Sequence, residues 1–381
     1  DRLASDFEFG YVDTILTIGC AMIFMKVIEG SGALDALSSL IIEKFHRFPA
    51  VLLVLIMLII MFPGMITGSS TAAVLSAGSI MAPVLALMGI DAVTSGSIIA
   101  MGALLGMIAP PVNTAALIIC AGIDVPYVGF EGPLALITFP LAILFVLLLG
   151  YKQARHMDYE KLKPALEKQD AIRKQYGVRI YIPLLVLVAL MVIFKVLKLG
   201  EDIGMPLMFL ISAAVGLFTG KKINVLTAVP EAIRTAAPVM GILMGVGMFI
   251  EVMTATGVRG LVVISCLRLP STLWLLACAI SIPLFGAVSS YGACSVLGVP
   301  FAYIYASLLG GNSVVVLAAI SLIAAVGDMM PPTALAGLFA AQVTGVEKYT
   351  KILKRCIVPI IILLVYACFF LANSKLIAGL F

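Results

Sequence analysis

The sequence predicts an all-α polytopic membrane protein, arranged as an inverted repeat with two re-entrant hairpins and two broken helices. Three observations predict this fold. Of the 381 residues, 62% are hydrophobic and 12% charged, and the mean hydropathy is +1.18, whereas a soluble domain carries about twice that charged fraction. Apolar stretches recur at membrane-spanning length, and the two halves share motifs at a nearly constant separation. Lipid must therefore solvate most of the chain.

The composition also excludes several classes of protein. All seven cysteines lie in apolar runs without a CxxC pair, which is typical of small packing residues. The two histidines, His46 and His156, lie in basic connections, so a metal site built from histidines is not expected. The sequence contains no phosphate-binding loop, zinc-ligand spacing or nucleophile elbow, and it therefore predicts neither an ATPase nor another enzyme.

Apolar stretches long enough to cross a bilayer, which takes about 20 residues, define the predicted spans. They are 11–29, 94–121, 131–151, 180–199, 204–220, 236–255, 312–345 and 355–373. Two further stretches, 48–89 and 270–309, are each broken midway by small polar residues. We interpret them as re-entrant hairpins, whose turns are tolerated at membrane depth where protein or a water-filled cavity surrounds them.

Basic residues orient these spans. The most charged segment, 151–179, is predicted to be cytoplasmic because Lys and Arg concentrate on that side of membrane proteins. Alternating the spans from this segment places most of the 24 Lys and Arg residues inside and a few, among them Lys375, outside. The first hairpin then opens to the cytoplasm and the second to the outside, so the two halves have opposite orientations.

Motifs repeat between the two halves. At a separation of 220 or 221 residues, Pro63, Ser69, Ser70, Gly78 and Pro110-Pro111 recur as Pro283, Ser289, Ser290, Gly298 and Pro331-Pro332. With opposite orientations, this is an inverted repeat of the kind that many secondary transporters use. Residues 1–150 form the first repeat, 151–179 a cytoplasmic linker and 180–381 the second repeat. Because the second repeat begins with two spans that the first lacks, we expect one or two further N-terminal helices in the natural protein.

The hairpin turns supply groups that bind ions and anions. Gly68-Ser69-Ser70-Thr71 marks the first turn and Ser289-Ser290-Tyr291-Gly292 the second. Glycine permits conformations that leave backbone groups unpaired, and hydroxyls add donors and acceptors at the same depth. Exposed amides at a helix start attract a carboxylate, whereas exposed carbonyls suit sodium. The alternative is that these small residues only allow close helix packing.

Double prolines interrupt two of the spans. Pro110-Pro111 and Pro331-Pro332 each remove two amide donors, so the helix is predicted to break there. The freed carbonyls must face protein or water rather than hydrocarbon. A purely structural kink is the alternative interpretation.

Asp328 is the only acid predicted to lie deep within a span, where a carboxylate needs a cation, a proton or a partner. We predict that it serves cation coupling, with proton carriage as the alternative. The predicted sodium ligands, through carbonyls or side chains, are Gly68, Ser69, Pro110, Ser289, Gly292, Asp328 and Pro331. The predicted solute ligands are Ser69, Ser70, Thr71, Asn113, Thr114, Ser289, Ser290 and Thr333.

These motifs resemble a known family. The runs Gly64-Met-Ile-Thr-Gly-Ser-Ser-Thr-Ala-Ala, Gly78-Ser-Ile-Met-Ala-Pro and Ile108-Ala-Pro-Pro are similar to the DctM-like large permease (M) subunit of tripartite ATP-independent periplasmic (TRAP) transporters. The likeness covers most of the chain and extends more loosely to the ion transporter superfamily. It implies an elevator mechanism, in which the hairpins and broken helices form a mobile transport domain and the remaining spans a scaffold.

The resemblance also implies a function and partners. The chain would import a small carboxylate, such as a C4-dicarboxylate or sugar acid, driven by a sodium gradient and without an organic cofactor. A small membrane subunit and a periplasmic substrate-binding protein would assist it in the bacterial inner membrane. The second tip, Ser289-Ser290-Tyr291-Gly292, is less typical of the family. Alternatives are a stand-alone symporter of the superfamily or, from a different class, a membrane-embedded enzyme or a channel.

Overall fold

The computed structural model describes residues 12–155, 171–197, 205–258 and 270–381, with a few isolated positions between 258 and 270. Some residues near these gaps are described by their backbone alone. Throughout the described ranges the regular secondary structure is helical, without a β-strand. The predicted all-helical class is confirmed.

The chain order of the helices is as follows. The first half contains α1 (Val12–Ser31), α2 (Ala33–Phe45), α3 (Pro49–Thr67), α4 (Ser70–Leu87, with a π-helical turn at Val74–Gly78), α5 (Ala92–Ile108), α6 (Thr114–Gly122) and α7 (Glu131–Ala154). The second half contains α8 (Ile182–Leu197), α9 (Met205–Thr219), α10 (Val225–Ala255), α11 (Ser271–Ala302), α12 (Ser313–Ala325), α13 (Leu335–Thr344), α14 (Tyr349–Ala372) and α15 (Ser374–Ala378).

Five helices in the described ranges are long and apolar enough to cross a membrane. They are α3, α4, α7, the segment Ala171–Ile193 that leads into α8, and α14. The pair α1 and α2 makes a sixth if it is one span bent by 62°. Gly32, between them, adopts a left-handed φ of +79°, which glycine accepts without steric cost. The chain is therefore a multi-pass membrane protein.

Within the described residues, helices occupy each of the predicted spans, and the structure differs from the prediction in two respects. Helix α10 begins at Val225, well before the predicted start at residue 236. Helix α2 was not predicted, because its sequence contains Asp, Glu, Lys and two serines within a short apolar pattern. The predicted spans 94–121 and 312–345 are both broken at their double prolines.

The first predicted hairpin turns where expected. Helix α3 ends at Gly68, whose φ of +62° is left-handed, and α4 starts directly afterwards at Ser70. The π-helical turn of α4 packs back against α3, so the two arms lie side by side near the tip. The Gly68-Ser69 pair therefore reverses the chain.

The turn predicted in the second hairpin is absent from the backbone. Helix α11 runs from Ser271 to Ala302 and passes through residues 289–292 without interruption. Serine, tyrosine and glycine are all compatible with helical dihedral angles, and a serine hydroxyl can bond to a preceding carbonyl within the helix. The described backbone of α11 thus differs from the first tip, where Gly68 is left-handed, and a second tip that binds ligands stays a prediction.

The largest hydrophobic core surrounds α5 and α12, the helices that precede the two proline breaks. Helix α5 packs against α3, α7, α13 and α14, and α12 packs against α6, α11 and α14. Almost every residue of both helices is buried. This position keeps the broken ends inside protein, where their carbonyl groups can be satisfied.

Helices α3 and α5 approach each other closely just before their breaks. A Cβ atom on Gly106 would lie 2.5 Å from the carbonyl oxygen of Met61, and one on Gly64 would lie 2.9 Å from the carbonyl carbon of Gly106. Such contacts between backbones require glycine at both positions. They hold the first tip and the first break at the same depth.

A second, smaller core joins α1, α2, α8 and α9, with Phe24 and Phe209 at a ring-centroid distance of 6.0 Å. Two ion pairs connect its periphery: Lys26 Nζ lies 3.0 Å from Glu231 of α10, and Arg173 lies 2.5 Å from Glu43 of α2. Helices α7 and α14, which were predicted to belong with the remaining spans of the scaffold, pack into the larger core.

Candidate ion and solute site

The first tip is built by local hydrogen bonds. The Gly68 amide donates to the Gly64 carbonyl at 2.7 Å and closes α3. Ser69 is extended, and its hydroxyl accepts from the Ala72 amide at 3.3 Å, so it is the N-cap of α4. Thr67 adds a hydroxyl that donates to the Pro63 carbonyl at 2.7 Å. The tip is thus a defined structure rather than a loose loop.

The first tip contacts the first break. The Thr114 hydroxyl donates to the Gly68 carbonyl at 2.7 Å, and the Val112 amide donates to the Met65 carbonyl at 3.1 Å. Gly68 leaves no room for a side chain, because a Cβ atom there would lie 2.0 Å from the Thr114 hydroxyl oxygen. The position of the tip therefore depends on the start of α6.

Asn113 organises the first break. Its side-chain oxygen accepts from the Ala116 amide at 2.9 Å and caps α6. Its side-chain nitrogen donates to the Ile108 carbonyl at 3.1 Å and to the Ser321 hydroxyl of α12 at 2.9 Å. The Tyr127 hydroxyl donates to the Pro111 carbonyl at 3.1 Å. Two carbonyls at the break, those of Ile108 and Pro111, are thus bonded by side chains.

The second break carries the buried carboxylate. Asp328 is fully buried in a 3₁₀ turn at Val326–Met329, and it accepts a hydrogen bond from the Ser70 hydroxyl of the first tip. After the prolines, the Thr333 hydroxyl donates to the Gly286 carbonyl of α11 at 3.1 Å. One polar contact therefore joins the tip from the first half to the break from the second.

Comparison with known protein families matches most of the chain. The family described as "Tripartite ATP-independent periplasmic transporter, DctM component" matches residues 11–374. The chain belongs to this family. It is a membrane component of a TRAP transporter, and proteins of the DctM family work with a small membrane subunit and a periplasmic binding protein. A comparison with curated proteins found no match.

The DctM-family chain brings together part of the predicted site. Gly68, Ser69, Ser70, Thr114 and Asp328 form one contiguous set through the contacts above. Thr71 and Pro110 are half-buried beside it, and Thr333 is half-buried against α11. Pro331 is exposed.

The remaining predicted ligands lie in α11. Ser289, Ser290 and Gly292 are described by backbone alone, and the side chains of the two serines lie outside the described part of the structure. Their role as ligands stays a prediction.

The donors in the site are oxygen atoms from carbonyls, hydroxyls and one carboxylate. Within the described ranges, no group of three or more His, Cys, Asp or Glu side chains could hold a metal ion. A divalent metal usually needs more carboxylates than Asp328 alone provides. Carbonyls at unwound helices together with one acid are typical of a monovalent coupling ion.

Sequence reasoning missed Ser321 and Tyr127. Ser321 is the one hydroxyl in the apolar interior of helix α12, which also begins with Ser313, and Tyr127 follows α6 in a turn. An isolated hydroxyl in an apolar span is a usable signal, because it needs a partner there. Its partner, Asn113, is far away in sequence and could not be identified without the fold.

We predict that Asn113→Ala destabilises the protein by about 2–4 kcal/mol, because it removes the cap of α6 and leaves the Ile108 carbonyl without its donor. Ser321→Ala removes one contact of the same network and should cost about 1 kcal/mol. Denaturant unfolding of both variants in the same detergent measures the difference. Equal losses would show that the cap and the Ile108 bond contribute nothing beyond the contact with Ser321.

Proposed function

We propose that this chain imports a small carboxylate, a C4-dicarboxylate or a sugar acid, together with sodium across a bacterial inner membrane. The observation that carries the proposal is the buried contact between Ser70 of the first tip and Asp328 of the second break, in a chain of the DctM family. A buried acid facing a hairpin tip is an arrangement expected of ion coupling.

Sodium would bind where carbonyl and hydroxyl oxygens converge. Between the first tip and the first break, the candidate ligands are the Gly68 and Pro110 carbonyls with Ser69. At the second break they are Asp328 and Pro331, with Ser289 and Gly292 of α11. Because the Ser70 hydroxyl donates to Asp328, a cation at the carboxylate would require this hydroxyl to rotate and present its oxygen. Ion binding is thus linked to the conformation of the tip. Proton carriage by Asp328 is the alternative coupling.

The solute would lie against the hydroxyl groups of the tip. The candidates are Ser69, Ser70, Thr71, Thr114, Thr333, Ser289 and Ser290. We assign Asn113 to support of the site rather than to solute contact, because both ends of its amide are already hydrogen-bonded and it is fully buried. Hydroxyls and amides select a carboxylate by orientation rather than by charge.

The two hydrophobic cores suggest how an elevator would divide. The larger core holds the first hairpin, both broken helices, α7 and α14, and the smaller core holds α1, α2, α8 and α9. In the proposed mechanism the larger core moves as one body, and the smaller core stays fixed with the small membrane subunit. Helices α7 and α14 would then travel with the site.

Uptake into proteoliposomes tests the proposed solute and partners. The protein, with its small membrane subunit, is reconstituted under an inward sodium gradient and offered a panel of C4-dicarboxylates and sugar acids, each with and without the binding protein. We expect uptake of one class of carboxylate that requires the binding protein. Uptake at the same rate without it would indicate a stand-alone symporter, and no uptake of any carboxylate would contradict the proposed solute class.

A further inference from the structure

A cavity of about 370 Å³ lies at the end of α14, away from the candidate ion and solute site. One wall is the end of the π-helical segment Tyr303–Leu308 and the turn that follows, and the other is the junction of α14 with α15. Polar and apolar groups both line it, among them Tyr305, Leu309, Gly311, Asn373, Ser374 and Lys375.

Two polar side chains face this cavity. A Cβ atom on Gly311 would lie 2.8 Å from the Ser374 hydroxyl, so this glycine makes room for the hydroxyl. The Lys375 ammonium lies beside Gly310, 3.6 Å from the position that a Cβ atom would take there. Ser374 is only 5% exposed. Within the described part of the chain, neither the Ser374 hydroxyl nor the Lys375 ammonium has a hydrogen-bond or ion-pair partner. The Lys375 side chain is exposed beside this hydroxyl, so both groups can donate to an anion that enters the cavity.

The cavity lies at the level of the lipid headgroups. Helix α14 has 24 residues, or about 36 Å at 1.5 Å per residue, against a hydrocarbon core of about 30 Å. Its first turns carry Lys351 and Lys354, so Lys375 lies at the opposite interface. Leu309 and Leu376 at the cavity are 45% and 75% exposed, which leaves apolar surface open beside the polar groups.

We propose that this cavity binds the phosphate of an anionic phospholipid. The Lys375 ammonium and the Ser374 hydroxyl would donate to the phosphate oxygens, and the acyl chains would cover Leu309 and Leu376. The adjoining exposed leucines favour a lipid over a free phosphate ion, because only a lipid covers them. The inference requires only that the chain spans a membrane, and it is independent of the solute transported.

Native mass spectrometry of the purified protein tests the site. Protein from mixed micelles containing equal amounts of phosphatidylglycerol and phosphatidylcholine is compared with the variants Lys375→Gln and Ser374→Ala. We expect about fivefold preferential retention of one phosphatidylglycerol by the wild type, reduced to less than about twofold in Lys375→Gln. Ser374→Ala should give an intermediate value.

The matched control is Lys351→Gln, because Lys351 is an exposed lysine at the end of α14 opposite to the cavity. It should keep the preference, because Lys351 does not line the cavity. Equal retention of both lipids by the wild type, or equal losses in the two lysine variants, would overturn the proposal. Displacement of the lipid by millimolar inorganic phosphate would identify a free phosphate as the ligand and also contradict it.

Discussion

Asp328→Asn is expected to reduce sodium-driven uptake at least about tenfold while leaving the fold intact. Asparagine keeps the volume of the side chain, and its carbonyl oxygen can still accept from the Ser70 hydroxyl. The substitution removes the negative charge with which the buried site would hold a cation. Initial uptake rates at several sodium concentrations, with the melting temperature of each variant as a check on folding, measure the effect.

The control for this variant is Asp124→Asn. Asp124 is exposed in the turn after α6 and has a φ of +55°, a conformation that asparagine also tolerates. Its uptake should equal that of the wild type. If Asp328→Asn also kept the wild-type rate and sodium dependence, Asp328 would have no part in coupling.

Gly68→Ala is expected to reduce uptake at least about tenfold and to lower the melting temperature. The added Cβ atom would lie 2.0 Å from the Thr114 hydroxyl oxygen, and the left-handed φ of +62° adds strain for any residue with a side chain. Relief requires the tip to move away from the first break. Uptake and thermal unfolding measured on the same preparation test both effects.

Gly89→Ala separates the two causes of this loss. Gly89 also has a left-handed φ, of +81°, but a Cβ atom there meets nothing within 4 Å. We expect a cost of about 1 kcal/mol from the backbone conformation alone and normal uptake. Equal effects of the two substitutions would show that crowding at the tip is unimportant.

Thr114→Ala provides a second test of the same contact. It removes the oxygen atom that an alanine at position 68 would meet first. Gly68→Ala should therefore cost at least about 1 kcal/mol less in the Thr114→Ala background than in the wild type. Additive costs would contradict the direct clash.

Much of the fold could be predicted because the residues that start and end its helices act locally. The double prolines after Ile108 and Met329 end their helices whatever surrounds them, and Gly68-Ser69 combines a left-handed residue with an N-cap. Hydropathy alone located the spans. These signals act within one helical turn, so they can be read without the fold.

The rest depends on contacts that sequence does not show. Ser289-Ser290 repeats Ser69-Ser70 at a separation of 220 residues. The backbones differ, however, because Gly68 before the first pair has a left-handed φ, whereas α11 continues as a helix through the second pair. The bond from Asn113 to Ser321 joins residues 208 positions apart and could not be foreseen. Asn113 was predicted to contact the solute. In the structure its side-chain amide instead caps α6 through the Ala116 amide and donates to the Ile108 carbonyl.

The most direct test of the proposed sodium coupling is the sodium dependence of uptake by the wild-type protein. Initial rates of carboxylate uptake are measured in proteoliposomes with an inward sodium gradient, with equal sodium on both sides, and with potassium replacing sodium, at constant pH and membrane potential. Sodium coupling predicts accumulation against the solute gradient only when sodium flows inward. Accumulation that is unchanged in potassium would contradict the sodium site proposed between the first tip and Asp328.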